Sequence, residues 1–261
     1  MAAAEALRRL EPGDVAVARL DVRPSLDGVE DGLVSLLLLE RRGVRVVNPV
    51  RSLLQAHDKL RTARMLQAAS LPHPRTRHIA PQASLPDLPY PVVLKPRFGS
   101  WGVDVALCTD AAAAADYLEQ VRDRPWFRRH GVVVQDALPS PGHDLRVIVA
   151  GGRVVGAALR TAAQGEWRTN VSCGGSLRPT ELTEEAAELA RTAAAVIDAD
   201  FVGADLMPIG RNQYVVLELN AAVDFDATYS LHGQIVDDAV AWALSLPRSL
   251  SGRQPPVATP A

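Results

Sequence analysis

Two glycine-centred breaks between apolar runs constrain this chain more than any other feature. Residues 145–150 and 153–159 flank Gly151-Gly152, and residues 201–209 and 214–219 flank Gly210-Arg211-Asn212. Apolar runs joined by such short turns form antiparallel hairpins, because glycine and asparagine enter the left-handed turn region at little cost. The first half has a different rhythm. A strand is predicted over 15–22, a helix over 31–42 stopped by Gly43, a strand over 44–48, and one helix over 52–69 with Ser52 as its N-cap. Parallel-type alternation followed by hairpins argues against a single Rossmann sheet. It predicts an α+β enzyme with more than one lobe.

The middle and end fill in around this. Residue spans 76–80, 92–95, 103–108 and 131–138 have strand character, and 81–91 is a proline-rich connection. Helices are predicted over 111–122, 183–199 and 235–246, a polar loop over 168–175, and a disordered tail over 248–261. The chain of 261 residues is 48% apolar, enough to bury a core. A net charge of −2 gives no overall pull toward nucleic acid or an anionic membrane. The apolar run over 33–39 is too short to span a bilayer. Cys108 and Cys173 are far apart and lack metal-ligand spacing, so neither a disulfide framework nor a structural zinc site is expected; a reducing cytoplasm is.

One count singles out residues. Of the 28 basic side chains only Lys59 and Lys95 are lysines. Arginine replaces lysine well as a solvated charge, but not as a compact ammonium gripping a phosphate oxygen. Lys95 ends an apolar strand and precedes a loop containing Gly99 and Gly102, which suits polyphosphate binding, although the order is not that of a Walker A loop. Glu218 and Asn220 are two apart on a strand and share a face. If the hairpin pairs around Arg211, Asp205 lies near Glu218. Such a set of hard oxygens suits magnesium completed by phosphates and water. Main-chain groups leaving the strand at Gln135-Asp136-Ala137-Leu138 can meet an adenine edge, and Asp144 can hold ribose hydroxyls. Arg160, Arg168 and Asn170 suit an anionic substrate or a developing acyl phosphate.

In this order the parts resemble an ATP-grasp ligase over roughly residues 55–246, most closely the RimK-type branch and also the LysX branch. The ordered set carries the resemblance: Asp58-Lys59, Val92-Val93-Leu94-Lys95, the Gly99–Gly102 loop, Val134-Gln135-Asp136, Asp144-Leu145-Arg146, Arg168-Thr169-Asn170, Gly174-Gly175, Asp205 and Glu218-Leu219-Asn220. The resemblance implies a fold of two α+β lobes gripping ATP. It implies that Lys59 and Lys95 hold the phosphates, and that Gly99, Ser100, Trp101 and Gly102 form a lid. Gln135, Asp136, Ala137 and Leu138 would be the adenine hinge, and Asp144 the ribose contact. Asp205, Glu218 and Asn220 would bind two Mg2+ ions, with Mn2+ an alternative, and Arg168, Asn170 and Lys95 would act on the reacting groups.

The implied activity is amide formation through an acyl phosphate, adding an amino acid to a small-molecule, peptide or carrier-protein carboxylate. Amino-acid and carboxylate substrates, and a small carrier protein, are the implied partners; a homodimer is compatible. Rival readings are an ATP-dependent small-molecule kinase and a catalytically reduced ATP-binding module. The expected organisation is a shortened N-terminal α/β lobe over 1–50 and an ATP-grasp region over 51–247, with a lid subdomain over about 76–134 and a metal-binding lobe over about 135–247. The chain departs from the family at that short lobe, at Asp136-Ala137 in the hinge, and at Arg160-Thr161 where RimK-type chains often carry two arginines. It departs again at Ala221-Ala222-Val223-Asp224-Phe225, closer to the LysX pattern.

Overall fold

The computed structural model describes residues 2–234 and 236–245. Ile235, Leu246 and the tail expected to be disordered over 248–261 lie outside them. The N-terminal part holds α1 (Ala3–Arg9), β1 (Val15–Val17), α2 (Leu33–Arg41) and β2 (Arg45–Val47), with β1 and β2 paired in parallel. Both strands are shorter than the sequence predicts.

Two consecutive helices follow, α3 (Val50–His57) and α4 (Lys59–Ala68). The single helix predicted here is broken at Asp58. Its backbone is extended, and its carboxylate accepts a hydrogen bond from the Arg61 amide, capping α4. Ser52 is not a cap; its hydroxyl is buried and donates to the Asp198 carbonyl.

A four-stranded antiparallel sheet of order β3-β6-β4-β5 comes next, formed by β3 (Thr76–Ile79), β4 (Val92–Pro96), β5 (Ala106–Cys108) and β6 (Val132–Asp136). Its outer face packs on α5 (Ala111–Val121), capped by Asp110, and on α6 (Pro125–His130), an element the sequence reading omitted. On β4, Val92 and Leu94 point into that core, while Val93 and Lys95 line the opposite face.

The second sheet has five strands in the order β11-β10-β7-β8-β9: β7 (His143–Ala150), β8 (Arg153–Thr161), β9 (Ser176–Pro179), β10 (Phe201–Gly210) and β11 (Gln213–Asn220). The two predicted hairpins are present, joined edge to edge through β7 and β10. β9 was not foreseen. In the β7–β8 turn, Gly151 has φ +54, and a Cβ there would lie 2.5 Å from the Ala243 carbonyl, so glycine alone fits.

One face of this sheet buries Val147, Val149, Val202, Ala204 and Leu206 against α7 (Glu184–Val196). The small residues Ala186, Ala190, Ala193 and Ala194 let α7 approach, and Thr183 caps it. The same core takes in α2, β2 and α3, fixing the N-terminal part to the sheet. The other face is covered at one end by α8 (Val236–Ser245), around Ile148, Ala150 and Phe201. Beyond α8 this face opens on a cleft bounded by the four-stranded sheet. Among the described residues no helix is long and apolar enough to cross a membrane.

Candidate active site

The cleft measures about 940 Å³. Its floor follows from strand alternation. Residues 201, 203 and 205 of β10 point away from the α7 core, so Asp205 faces the cleft together with Arg146 of β7 and Glu218 of β11. The register makes these three a row: Asp205 pairs with Glu218 on one side and Arg146 on the other. Gly203 leaves room for the Arg146 side chain, whose Cδ would lie 3.1 Å from a Cβ there. A second row places Asp144 opposite Arg160.

These rows form one buried ion network. Arg160 bonds both oxygens of Asp144 at 2.7 Å and reaches Asp205 Oδ2 at 2.8 Å. Arg146 completes a two-pronged contact with Asp205. Burial alone would lower the Arg160 pKa, but the two carboxylates reverse that and raise it. Burial likewise opposes ionisation of Asp205, and Arg146 and Arg160 hold it ionised with a lowered pKa. The Thr169 hydroxyl donates to Asp144 at 2.6 Å. Arg160 and Thr169 take three acceptor positions on Asp144, which makes it an anchor for Arg160 and for the loop carrying Thr169; the ribose contact drawn from the resemblance would use the position that remains.

Both lysines line this cleft, and both are buried. Lys59 opens α4, and its ammonium donates to the Gly99 carbonyl and to Glu218 Oε1, each at 2.5 Å. Lys95 enters from β4. Burial pushes its ammonium down to about 8; Glu218 opposes the shift and Lys59 adds to it. Asp58, next to Lys59, forms a two-pronged pair with Arg97, and the Lys59 amide donates to the Arg97 carbonyl. Sequence reasoning missed this brace between α4 and the chain leaving β4. His57, just before Asp58, is buried on the cleft wall, its pKa lowered by burial.

The hinge residues Gln135, Asp136, Ala137 and Leu138 line the cleft at the end of β6. The amides of Asp136 and Ala137 already donate to the carbonyls of Arg75 and Pro91, and Asp136 pairs with Arg77. Among the described residues the Leu138 amide has no protein partner, so it is the hinge donor open to a base edge. Leu107, Val93 and Gln135 form an adjoining cross-strand row.

The Gly99–Gly102 loop is clasped to a second loop, over 162–175. Arg168 Nη1 donates to the Gly102 carbonyl at 2.9 Å, and Ser172 Oγ to the Trp101 carbonyl at 2.8 Å. Gly102 has φ +71, and a Cβ there would sit 3.2 Å from Asn170 Oδ1 and 3.1 Å from Cys173 Sγ. Ser100 touches Asp21. Arg168 is held by Glu166, whose carboxylate the guanidinium lowers to about 2. The structure thus brings Lys59, Lys95, the glycine loop, the hinge, Arg168, Asn170, Asp205, Glu218 and Asn220 around one cleft.

The donor chemistry at the end of β11 fits magnesium. Glu218 is partly exposed with one oxygen beyond its Lys59 contact, and Asn220 Nδ2 points to Asp205 at 3.4 Å, leaving the amide oxygen open. Asp205 is the poorer fit, since Arg146 and Arg160 already neutralise it. Among the described residues no group of three or more His, Cys, Asp or Glu side chains has metal-ligand spacing. A metal here would draw most of its ligands from phosphates and water.

Comparison with known proteins decides the family. The RimK-like ATP-grasp domain matches residues 56–241. This chain belongs to the RimK-like ATP-grasp family. It is 32% identical over 220 residues to human N-acetylaspartylglutamate synthase A, covering 81% of this chain and 54% of that protein. It is 31% identical over 195 residues to the tetrahydromethanopterin:alpha-L-glutamate ligase of Methanosarcina acetivorans, covering 70% of this chain and 60% of the relative. The chain therefore spans little more than half the length of these relatives. The solved D-alanine–D-alanine ligase of Bacillus anthracis superposes with a TM-score of 0.68 at 16% identity, over 95% of this chain and 83% of that one, which shows a shared ATP-grasp fold.

Proposed function

We propose that the protein is an ATP-dependent carboxylate–amine ligase that forms an amide through an acyl phosphate. One observation carries this: the chain's two lysines, far apart in sequence, are both buried on the cleft that also holds Glu218 and Asn220. Burying two ammonium groups side by side is unfavourable unless anions neutralise them. A triphosphate does so.

In this reading Lys59 and Lys95 hold the phosphates, the Leu138 amide meets the base, and the Gly99–Gly102 loop covers the chain of phosphates. An acceptor carboxylate oxygen attacks the γ-phosphorus and ADP leaves. The amine nitrogen then attacks the acyl carbon, phosphate departs and the nitrogen loses a proton. Arg168 and Asn170, at the inner side of the clasp, would hydrogen-bond the transferring group, Arg168 exchanging part of its Glu166 contact to do so. The clasped loops exclude water, which would otherwise hydrolyse the acyl phosphate. Mg2+, held by Glu218 and Asn220 with Asp205 behind them, would supply charge neutralisation on the phosphates.

The names of the two relatives, a synthase and a ligase that join glutamate, support an amino acid as the amine. The carboxylate partner would be a small molecule, a peptide or a carrier protein. Residues 51–247 would form the ATP-grasp region, with residues 1–50 as an N-terminal α/β part beside it. Two free cysteines agree with a cytoplasmic setting. A screen of amino acids against carboxylates for ADP formation tests the reading. ADP release that requires both, with amide product, supports it; phosphorylated product without amide identifies a kinase.

A further inference from the structure

Eleven large apolar side chains are exposed among the described residues, and they are not scattered. Val15, Val17, Val34, Leu37 and Leu38 lie on the N-terminal part, where nothing indicates what would cover them. Four others ring the cleft mouth: Trp101 (56% exposed), Val103 (48%), Trp167 (37%) and Val171 (56%). Trp101 and Trp167 are each one residue from the Arg168–Gly102 hydrogen bond, and Val171 precedes Ser172, which bonds Trp101. The clasp therefore fastens to each other the two loops that carry this apolar collar. Leu107 is also exposed, but it sits in the Val93–Gln135 row beside the hinge and belongs with the nucleotide base.

We propose that this collar is the acceptor's specificity site, and that the acceptor is an extended polypeptide with an apolar or aromatic residue next to its reacting carboxylate. The inference rests on the ligase reading and deepens it. The charges are complementary to such a segment. At the collar Arg168 is cancelled by Glu166, so a crossing segment gains nothing from charge. Further in, the two buried ammonium groups of Lys59 and Lys95 make the inner cleft cationic, so the anionic end of the segment points inward. A free polar amino acid would leave the two tryptophans in water, and exposed apolar clusters of this kind mark binding surfaces.

The backbone argues for a polypeptide. The 162–175 loop runs directly into β9, the outermost strand of the five-stranded sheet. Its main chain pairs with β8, and no bond from its other edge to a described residue occurs. Leu177 of β9 lines the cleft. An extended segment crossing the collar can add to this edge by strand pairing, with its apolar side chain between the tryptophans.

The test uses fluorescein-labelled octapeptides ending in glutamate, preceded by Phe, Ser or Asp, with the full chain saturated with ADP and Mg2+. Anisotropy should show the Phe peptide binding about tenfold more tightly than the Ser or Asp peptides. Trp167→Ser and Val171→Ser should each remove most of that preference while ADP affinity stays unchanged. Equal affinity for the three peptides would overturn the proposal, as would unlabelled N-acetyl-phenylalanyl-glutamate competing as well as the octapeptide, since that would make the acceptor a small apolar acid. Peptide preference without amide formation would sink the ligase reading alone; amide formation on small polar acids without peptide preference would sink the collar alone.

Discussion

The Lys59 ammonium lies 2.5 Å from Glu218 Oε1, joining the first residue of α4 to β11 across 159 positions of sequence. The same ammonium holds the Gly99 carbonyl. One side chain thus ties a helix, the floor strand and the covering loop together, and it sits where nucleotide phosphates and a metal would compete for both partners. In the proposed reading, nucleotide binding exchanges this pair: the ammonium toward phosphate, the carboxylate toward the metal. Glu218→Gln keeps the shape and the hydrogen bond but loses the charge. It should fold normally by circular dichroism, lower ATP turnover by at least about a hundredfold, and weaken Mn2+ binding measured by electron paramagnetic resonance with ADP present. Unchanged turnover would remove Glu218 from the metal site.

Arg160 is buried between Asp144 and Asp205. Replacing it with Met leaves two buried carboxylates without their shared cation, a change that typically costs about 3–5 kcal/mol. Urea unfolding of Arg160→Met should show a loss of that order. Arg160→Lys should recover only part of it, because one ammonium cannot replace a guanidinium that bonds two carboxylates at once.

Lys95 predicts a proton linkage. Its pKa falls from 10.5 to about 8 on folding. Between those values the unfolded chain holds a proton that the folded chain has released. Unfolding then binds protons, so the Lys95 contribution to stability rises with pH across that window. In the proposed reading, phosphates beside Lys95 restore its charge. ATP binding at about pH 9 should therefore take up close to one proton, read by calorimetry in buffers of different ionisation enthalpy. Lys95→Met should abolish the uptake; uptake that persists in this variant would assign it to another group.

Gly102→Ala strains a residue at φ +71 and crowds Asn170 and Cys173. The clasp between the two loops should loosen. The expected signature is uncoupling: ADP forms with the acceptor, but a larger share of the acyl phosphate goes to water. Measuring amide per ADP checks this. A ratio equal to that of the unaltered protein would show that the clasp does not exclude water.

Local chemistry made much of this legible. Gly151-Gly152 and Gly210-Arg211-Asn212 announce their hairpins because the turn residues act within a few positions. The strand period placed Glu218 and Asn220 on one face, and the hairpin brought Asp205 opposite. The scarcity of lysine marked Lys59 and Lys95 before any geometry. What sequence did not reveal depends on partners far along the chain. Asp58 looks like an interior helix residue, yet it breaks the helix to cap α4 and to hold Arg97. The pairing of Asp144 with Arg160 and Thr169 appears only once the sheet and its neighbouring loop come together. Strand β9 and helix α6 carry little local signal: β9 is a four-residue edge strand, and the core holds α6 through Trp126 and Phe127.

The most direct test of the ligase account follows oxygen. With the carboxylate acceptor that best stimulates ADP formation, labelled with 18O in its carboxyl group, amide formation through an acyl phosphate transfers one labelled oxygen to each phosphate released. Mass spectrometry of that phosphate should show the label in proportion to amide. Phosphate carrying no label while amide accumulates would contradict the account.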